Sequence, residues 1–178
     1  MVCAMGLLLF AAGCSRGQSG VHPSPATPAP LSTTSAPGKA GTTSTRCHTS
    51  DLSLSTTEAG AAAGTYYRWV VLTNSSGPAC TLSGYPGVSL VDVSGRQLGK
   101  PADRNPVHAP SVVMLPPGRS AYALVGFPNA ANFPPGKCTA ASSSLRVYPP
   151  DELRSLLTTI HESYCPGFTV AALQATKQ

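Results

Sequence analysis

Acidic residues are scarce in this sequence: 178 residues hold seven aspartates and glutamates, and only four histidines stand beside them. So little acid–base material argues against an enzyme, because general acids and bases come mostly from these side chains. Familiar catalytic signatures fail as well. GVSLV, Gly87 to Val91, lacks the second glycine of a nucleophile elbow, and HESYC, His161 to Cys165, has cysteine where a zinc protease needs its second histidine. Close cysteine pairs are missing too. More than twenty residues separate each of Cys47, Cys80, Cys138 and Cys165 from the next, which excludes the short spacing of structural zinc. Finally, no long apolar run occurs. Val2 to Gly13 is uncharged and apolar or small throughout, but falls short of the roughly 20 residues that span a bilayer.

That short run does have the character of an export signal. Ala11, Ala12 and Gly13 supply the small residues a signal peptidase requires, and Cys14 follows them. The pattern resembles a bacterial lipobox, which implies cleavage before Cys14 and acylation of its sulfur. Two departures stand: Ala11 replaces the usual leucine, and no Lys or Arg precedes the apolar run. Residues 1–13 are therefore expected to be a signal peptide. Residues 14–45 differ in kind, with no acidic or aromatic residue and with Pro, Gly, Ser or Thr at most positions. Such a segment buries too little apolar surface to offset the entropy of ordering. A disordered tether is expected, reaching roughly 30 Å as a flexible coil and about 100 Å if its Pro-rich part is extended. The expected location is the extracytoplasmic face of the cell membrane, held by lipid. Nucleic acid is excluded as a partner by export and by charge: from Arg46 onward ten basic residues meet seven acidic ones, a net +3.

Residues 46–178 suit one domain. Period-two alternation dominates. DLSLS (51–55), TYYRWVVLTN (65–74), GVSLVDV (87–93), SAYALVGF (120–127), SLRVY (144–148) and FTVAAL (168–173) read as strands. Ser94-Gly95 suits a tight hairpin, and Pro116-Pro117-Gly118 a turn with Pro second and Gly third. DELRSLLTTI, Asp151 to Ile160, has helical spacing but is expected to form a short turn followed by a strand. Many short strands at this spacing predict an all-β, Ig-like antiparallel β-sandwich. Cys47, Trp69 and Cys80 lack the spacing of a true immunoglobulin variable domain, and Trp69 is expected in the core or between the sheets. Four cysteines in an exported domain imply two disulfides, whose pairing the count alone leaves open among three arrangements.

The run LTNSSGPACTLSGYPGVSLVDVSGRQLG from Leu72 to Gly99 is followed by VVMLPPGRSAYALVGF from Val112 to Phe127, and then by Cys138, LRVYPP and Cys165. Together these resemble the actinobacterial envelope domain DUF4232. The most specific pieces are Thr73, Asn74, Ser76, Gly77, Cys80, Leu82, Gly84, Tyr85 and Pro86, and the turn Leu115, Pro117, Gly118 and Ala121. The resemblance implies a secreted or lipid-anchored β-sandwich and carries no activity. Its early and late cysteines, with the economy of local pairing, give the expectation Cys47–Cys80 and Cys138–Cys165.

For function, the expectation is a non-enzymatic binding domain with no cofactor, engaging an envelope protein, glycan or small ligand. RQLGKPADRNPVHAP, Arg96 to Pro110, is the longest irregular stretch in the domain and offers Arg96, Asp103, Arg104 and His108 as a recognition loop. The plainer reading is a solvated crossover between sheets. The alternative function is a hydrolase with a site assembled in space, or copper handling through His108 and Met114 with His161, since imidazole and thioether suit copper.

Overall fold

The computed structural model describes residues 45–178; the expected signal peptide, Cys14 and nearly all of the expected tether lie outside the described residues. In chain order the strands are β1 (Thr45–Arg46), β2 (Leu52–Ala62), β3 (Thr65–Asn74), β4 (Cys80–Ser83), β5 (Gly87–Val91), β6 (Gln97–Leu98), β7 (Asp103–Asn105), β8 (Val112–Leu115), β9 (Ser120–Pro128), β10 (Ser144–Tyr148), β11 (Leu156–Thr159) and β12 (Thr169–Ala171). Among the described residues helix is limited to two single 3₁₀ turns, Thr49–Asp51 and Ala130–Asn132. Among the described residues no helix is long and apolar enough to cross a membrane.

Three sheets share the core. One has the order β2-β3-β9-β12-β7, the second β11-β10-β5-β6 and the third β1-β4-β8. Alternation fixes the inward faces: Val70 and Leu72 on β3, Ala121, Ala123 and Val125 on β9, and Val88, Leu90, Leu145 and Val147 on β5 and β10 are all buried in one cluster. Leu82, Val113 and Leu115 add the third sheet to the same core. The all-β sandwich is thus as expected, and all the long pairings are antiparallel. Two short edge pairings are parallel, β1 with β4 and β7 with β12.

Trp69 departs from expectation. It is half-buried on the outer face of the five-stranded sheet, because Val70 and Leu72 take the inward positions of β3 and residues of opposite parity must point away. The C-terminal tail crosses that outer face, with Lys177 Nζ 2.9 Å from Thr57 Oγ1 and 5.5 Å from the centre of the Tyr122 ring.

Two clamps tie the sheets together. Asn74, fully buried, donates through Nδ2 to the carbonyls of Pro78 and Leu115, both at 2.8 Å, while its Oδ1 accepts from Ser76 N at 2.9 Å and Ser76 Oγ at 2.7 Å. Its carbonyl accepts from Gly118 N. The two family-like motifs are therefore one structural unit: the Asn-Ser turn after β3 holds the Pro-Pro-Gly turn after β8. Close by, where Ser75 N donates to Asp51 O at 2.8 Å, the second clamp begins: Pro149-Pro150-Asp151-Glu152 closes with Glu152 N donating to Pro149 O at 3.1 Å, and Asp151 takes the left-handed conformation (φ 60°). This presents the Glu152 carboxylate to Thr49, whose N–H and hydroxyl both donate to Oε2 at 2.9 Å, while His48 Nδ1 lies 3.1 Å and Arg46 Nη2 3.3 Å from Oε1. The Thr49 backbone N–H, then its hydroxyl, hold the Glu152 pKa down to about 2 against the opposing effect of burial.

Candidate functional site

Arg68 is central to an open cleft of the domain. β2 and β3 form a hairpin whose two-residue turn, Ala63-Gly64, has both residues left-handed (φ 48° and 76°), the geometry of a type I′ turn. Gly64 is needed there, and its carbonyl accepts from Asn129 N at 2.8 Å and Asn132 Nδ2 at 3.1 Å. On the way to the turn, β2 bulges between Glu58 and Gly60. Glu58, the last residue of the regular register before the bulge, lies directly across from Arg68, and the bulge turns the edge strand beside it.

The far wall comes from the segment after β11. Glu162 is held by its own backbone: Ser142 N donates to its carbonyl at 2.8 Å, and its N–H donates to Ser142 Oγ at 3.3 Å. Three residues later Cys165 is bonded to Cys138, so the second disulfide braces this wall; the first joins Cys47 to Cys80. Between the walls, Arg68 Nε donates to Glu162 Oε1 at 3.1 Å, and its Nη2 lies 3.7 Å from Glu58 Oε1. Tyr66, on the same face of β3, is 48% exposed, and its hydroxyl accepts from Asn129 Nδ2 at 3.2 Å. With Gly60 and Tyr67 these residues line an open cleft of about 450 Å³. A shallower hollow of about 220 Å³ adjoins it along Ala61 to Tyr66.

The structure distributes the residues singled out from sequence. Arg96 closes the β5–β6 hairpin: its N–H donates to Asp92 Oδ1 at 3.0 Å and its Nε to Asp92 Oδ2 at 3.1 Å. The Ser94 hydroxyl, 2.6 Å from Asp92 Oδ1, is the main reason that the Asp92 pKa falls to about 2. Asp103 and Arg104 lie on β7, at the edge of the five-stranded sheet, where Arg104 stacks 5.3 Å from the centre of the Tyr85 ring. His108 follows β7 in a turn and is partly exposed. The stretch Arg96–Pro110 therefore holds two short strands in two different sheets and crosses from one to the other. His108, Met114 and His161 follow or lie on strands of three different sheets, and among the described residues no three of His, Cys, Asp and Glu gather in a metal-sized group.

Glu58, Tyr66, Arg68 and Glu162 were not singled out from the sequence. A partial signal was present: TYYR begins a strong strand immediately after a glycine turn, and Glu58 precedes that turn by the same stretch plus one bulged residue. Glu162 carried none. Neither the comparison with curated proteins nor that with solved structures found a match to this chain. The family model described as "Domain of unknown function (DUF4232)" matches residues 47–176, which takes in the Asn74 clamp, Thr49 and Glu152, both disulfides and the whole cleft, and the chain belongs to that family.

Proposed function

We propose that the protein is a lipid-anchored component of the cell envelope that displays its sandwich as a non-enzymatic binding domain, and that the ligand meets it at the cleft around Arg68. The anchor is supported by the small-residue run ending at Cys14, and display by the Pro/Ser/Thr-rich stretch that follows. The observation that carries the binding reading is the cleft lining. A guanidinium fork between two carboxylates, beside an exposed tyrosine, offers donors, acceptors and a flat apolar face. The lining's two carboxylates, Glu58 and Glu162, both face the Arg68 guanidinium.

Arg96 and Arg104 lie outside this cleft, on the β5–β6 hairpin and against the Tyr85 ring. The test is crosslinking in intact cells. Tyr66→Ala should remove the crosslinked species seen with the wild type, whereas combined replacement of Arg96, Asp103 and Arg104 by alanine should leave them. The reverse result moves the contact to that crossover. Turnover of an ester, glycoside or peptide by the purified protein overturns the binding class.

A further inference from the structure

We infer that the ligand of the Arg68 cleft is a neutral, polyhydroxylated saccharide, an assignment that rests on the cleft being the binding site and deepens it. The charges are arranged as negative, positive, negative: Glu162 Oε1 is 3.1 Å from Arg68 Nε, and Glu58 Oε1 is 3.7 Å from Arg68 Nη2. A phosphate or carboxylate brought to Arg68 meets two carboxylates at once. A lysine or arginine brought to the carboxylates meets Arg68. Like-charge juxtaposition rejects both kinds of ligand.

A sugar hydroxyl donates and accepts together, and neighbouring hydroxyls match a side-by-side guanidinium and carboxylate. Arg68 carries five N–H donors in a planar fork, of which its two contacts use a part. Glu58 is 84% exposed on its side chain and only loosely held, so it can turn toward an incoming hydroxyl. Tyr66 supplies the remaining requirement, a half-exposed ring whose hydroxyl is tethered by Asn129, on which the apolar C–H face of a pyranose can rest. β2 is an edge strand with a bulge at the cleft, so further backbone N–H and C=O groups are within reach of hydroxyls. A volume of about 450 Å³, open at the side, accepts one or two sugar units of a longer chain.

The experiment is affinity electrophoresis of the full chain in detergent, through gels carrying galactan, arabinan or dextran as neutral probes, polygalacturonate or dextran sulfate as anionic ones, and chitosan as the cationic one. At least one neutral polysaccharide should retard the protein, with little change between about 0.1 and 0.5 M salt. Tyr66→Ala and Arg68→Lys should each weaken that retardation by about tenfold or more. Glu58→Gln, at a highly exposed position, serves as the second variant should Arg68→Lys fail to fold, and should weaken it as well. Retardation by charged probes alone, by none of them, or to the same extent in the folded variants overturns the saccharide assignment. If none retards the protein while Tyr66→Ala still abolishes crosslinking in cells, the cleft reading stands and the saccharide falls; if crosslinking is also unchanged, both fall.

Discussion

Asn74 uses both amide hydrogens and both lone-pair directions of its carboxamide inside the protein, and it is fully buried. Replacement by alanine takes the side-chain donor from the Leu115 carbonyl, leaves Pro78 O the longer contact from Ser76 Oγ and opens a void, so Asn74→Ala should lower unfolding free energy by about 2–4 kcal/mol in denaturant titration. Asn74→Asp replaces the donor face with an acceptor against the Leu115 carbonyl and should be no milder. Glu152 behaves differently because its contribution depends on pH. Its pKa is about 2 in the folded protein and near the ordinary 4.5 when unfolded, so below about pH 4.5 the unfolded chain binds a proton that the folded one does not. The stability it contributes is therefore complete above pH 4.5 and is lost progressively as pH falls toward 2. A melting temperature followed across that window should decline in the wild type, and the decline should be shallower in Glu152→Gln.

Among the elements, the β2–β3 hairpin carries a local cost. Ala63 occupies a left-handed position that type I′ turns normally give to Asn, Asp or Gly. Ala63→Asn should raise stability by about 1 kcal/mol, measured as a higher denaturant midpoint with unchanged slope. The second disulfide belongs to this scale as well, since it braces the segment that presents Glu162. Cys138→Ser with Cys165→Ser should cost about 2–4 kcal/mol and loosen the cleft, with proteolysis beginning near residues 138–165. Legibility followed the elements closely. β3 and β10 were readable from end to end because their residues are β-branched, aromatic or strictly alternating. The far half of β2, TTEAGAA, was not: alanine, glycine and glutamate are weak strand formers, and only the ladder supplied by β3 extends them. β6 and β7 are too short to show a period, so the stretch was readable as a crossover between sheets but not as one that carries two strands. The cleft was the least legible feature, because Glu162 and Arg68 lie 94 residues apart and meet only through tertiary packing.

For the whole molecule, attachment is the property to test. Acylation at Cys14 by two or more chains would hold the protein firmly, each buried methylene contributing about 0.8 kcal/mol. Cys14→Ser is expected to move the protein from the membrane fraction to the soluble one, read by fractionation and intact mass. Retention of that variant on membranes, or an unacylated wild type, excludes the anchor. The place where the N-terminal stretch joins the sandwich then acquires a mechanical meaning. Residues 45 and 46 pair with β4, and Cys47 is covalently bonded to Cys80 at the start of that same strand. Tension along a lipid-held tether would pass through this bond into β4 and the centre of the third sheet as well as along the chain toward β2. A protein pulled between its membrane and a captured ligand would yield last where it is tethered, and the grip at Arg68 would be released by dissociation before the domain was unravelled from its N-terminal side.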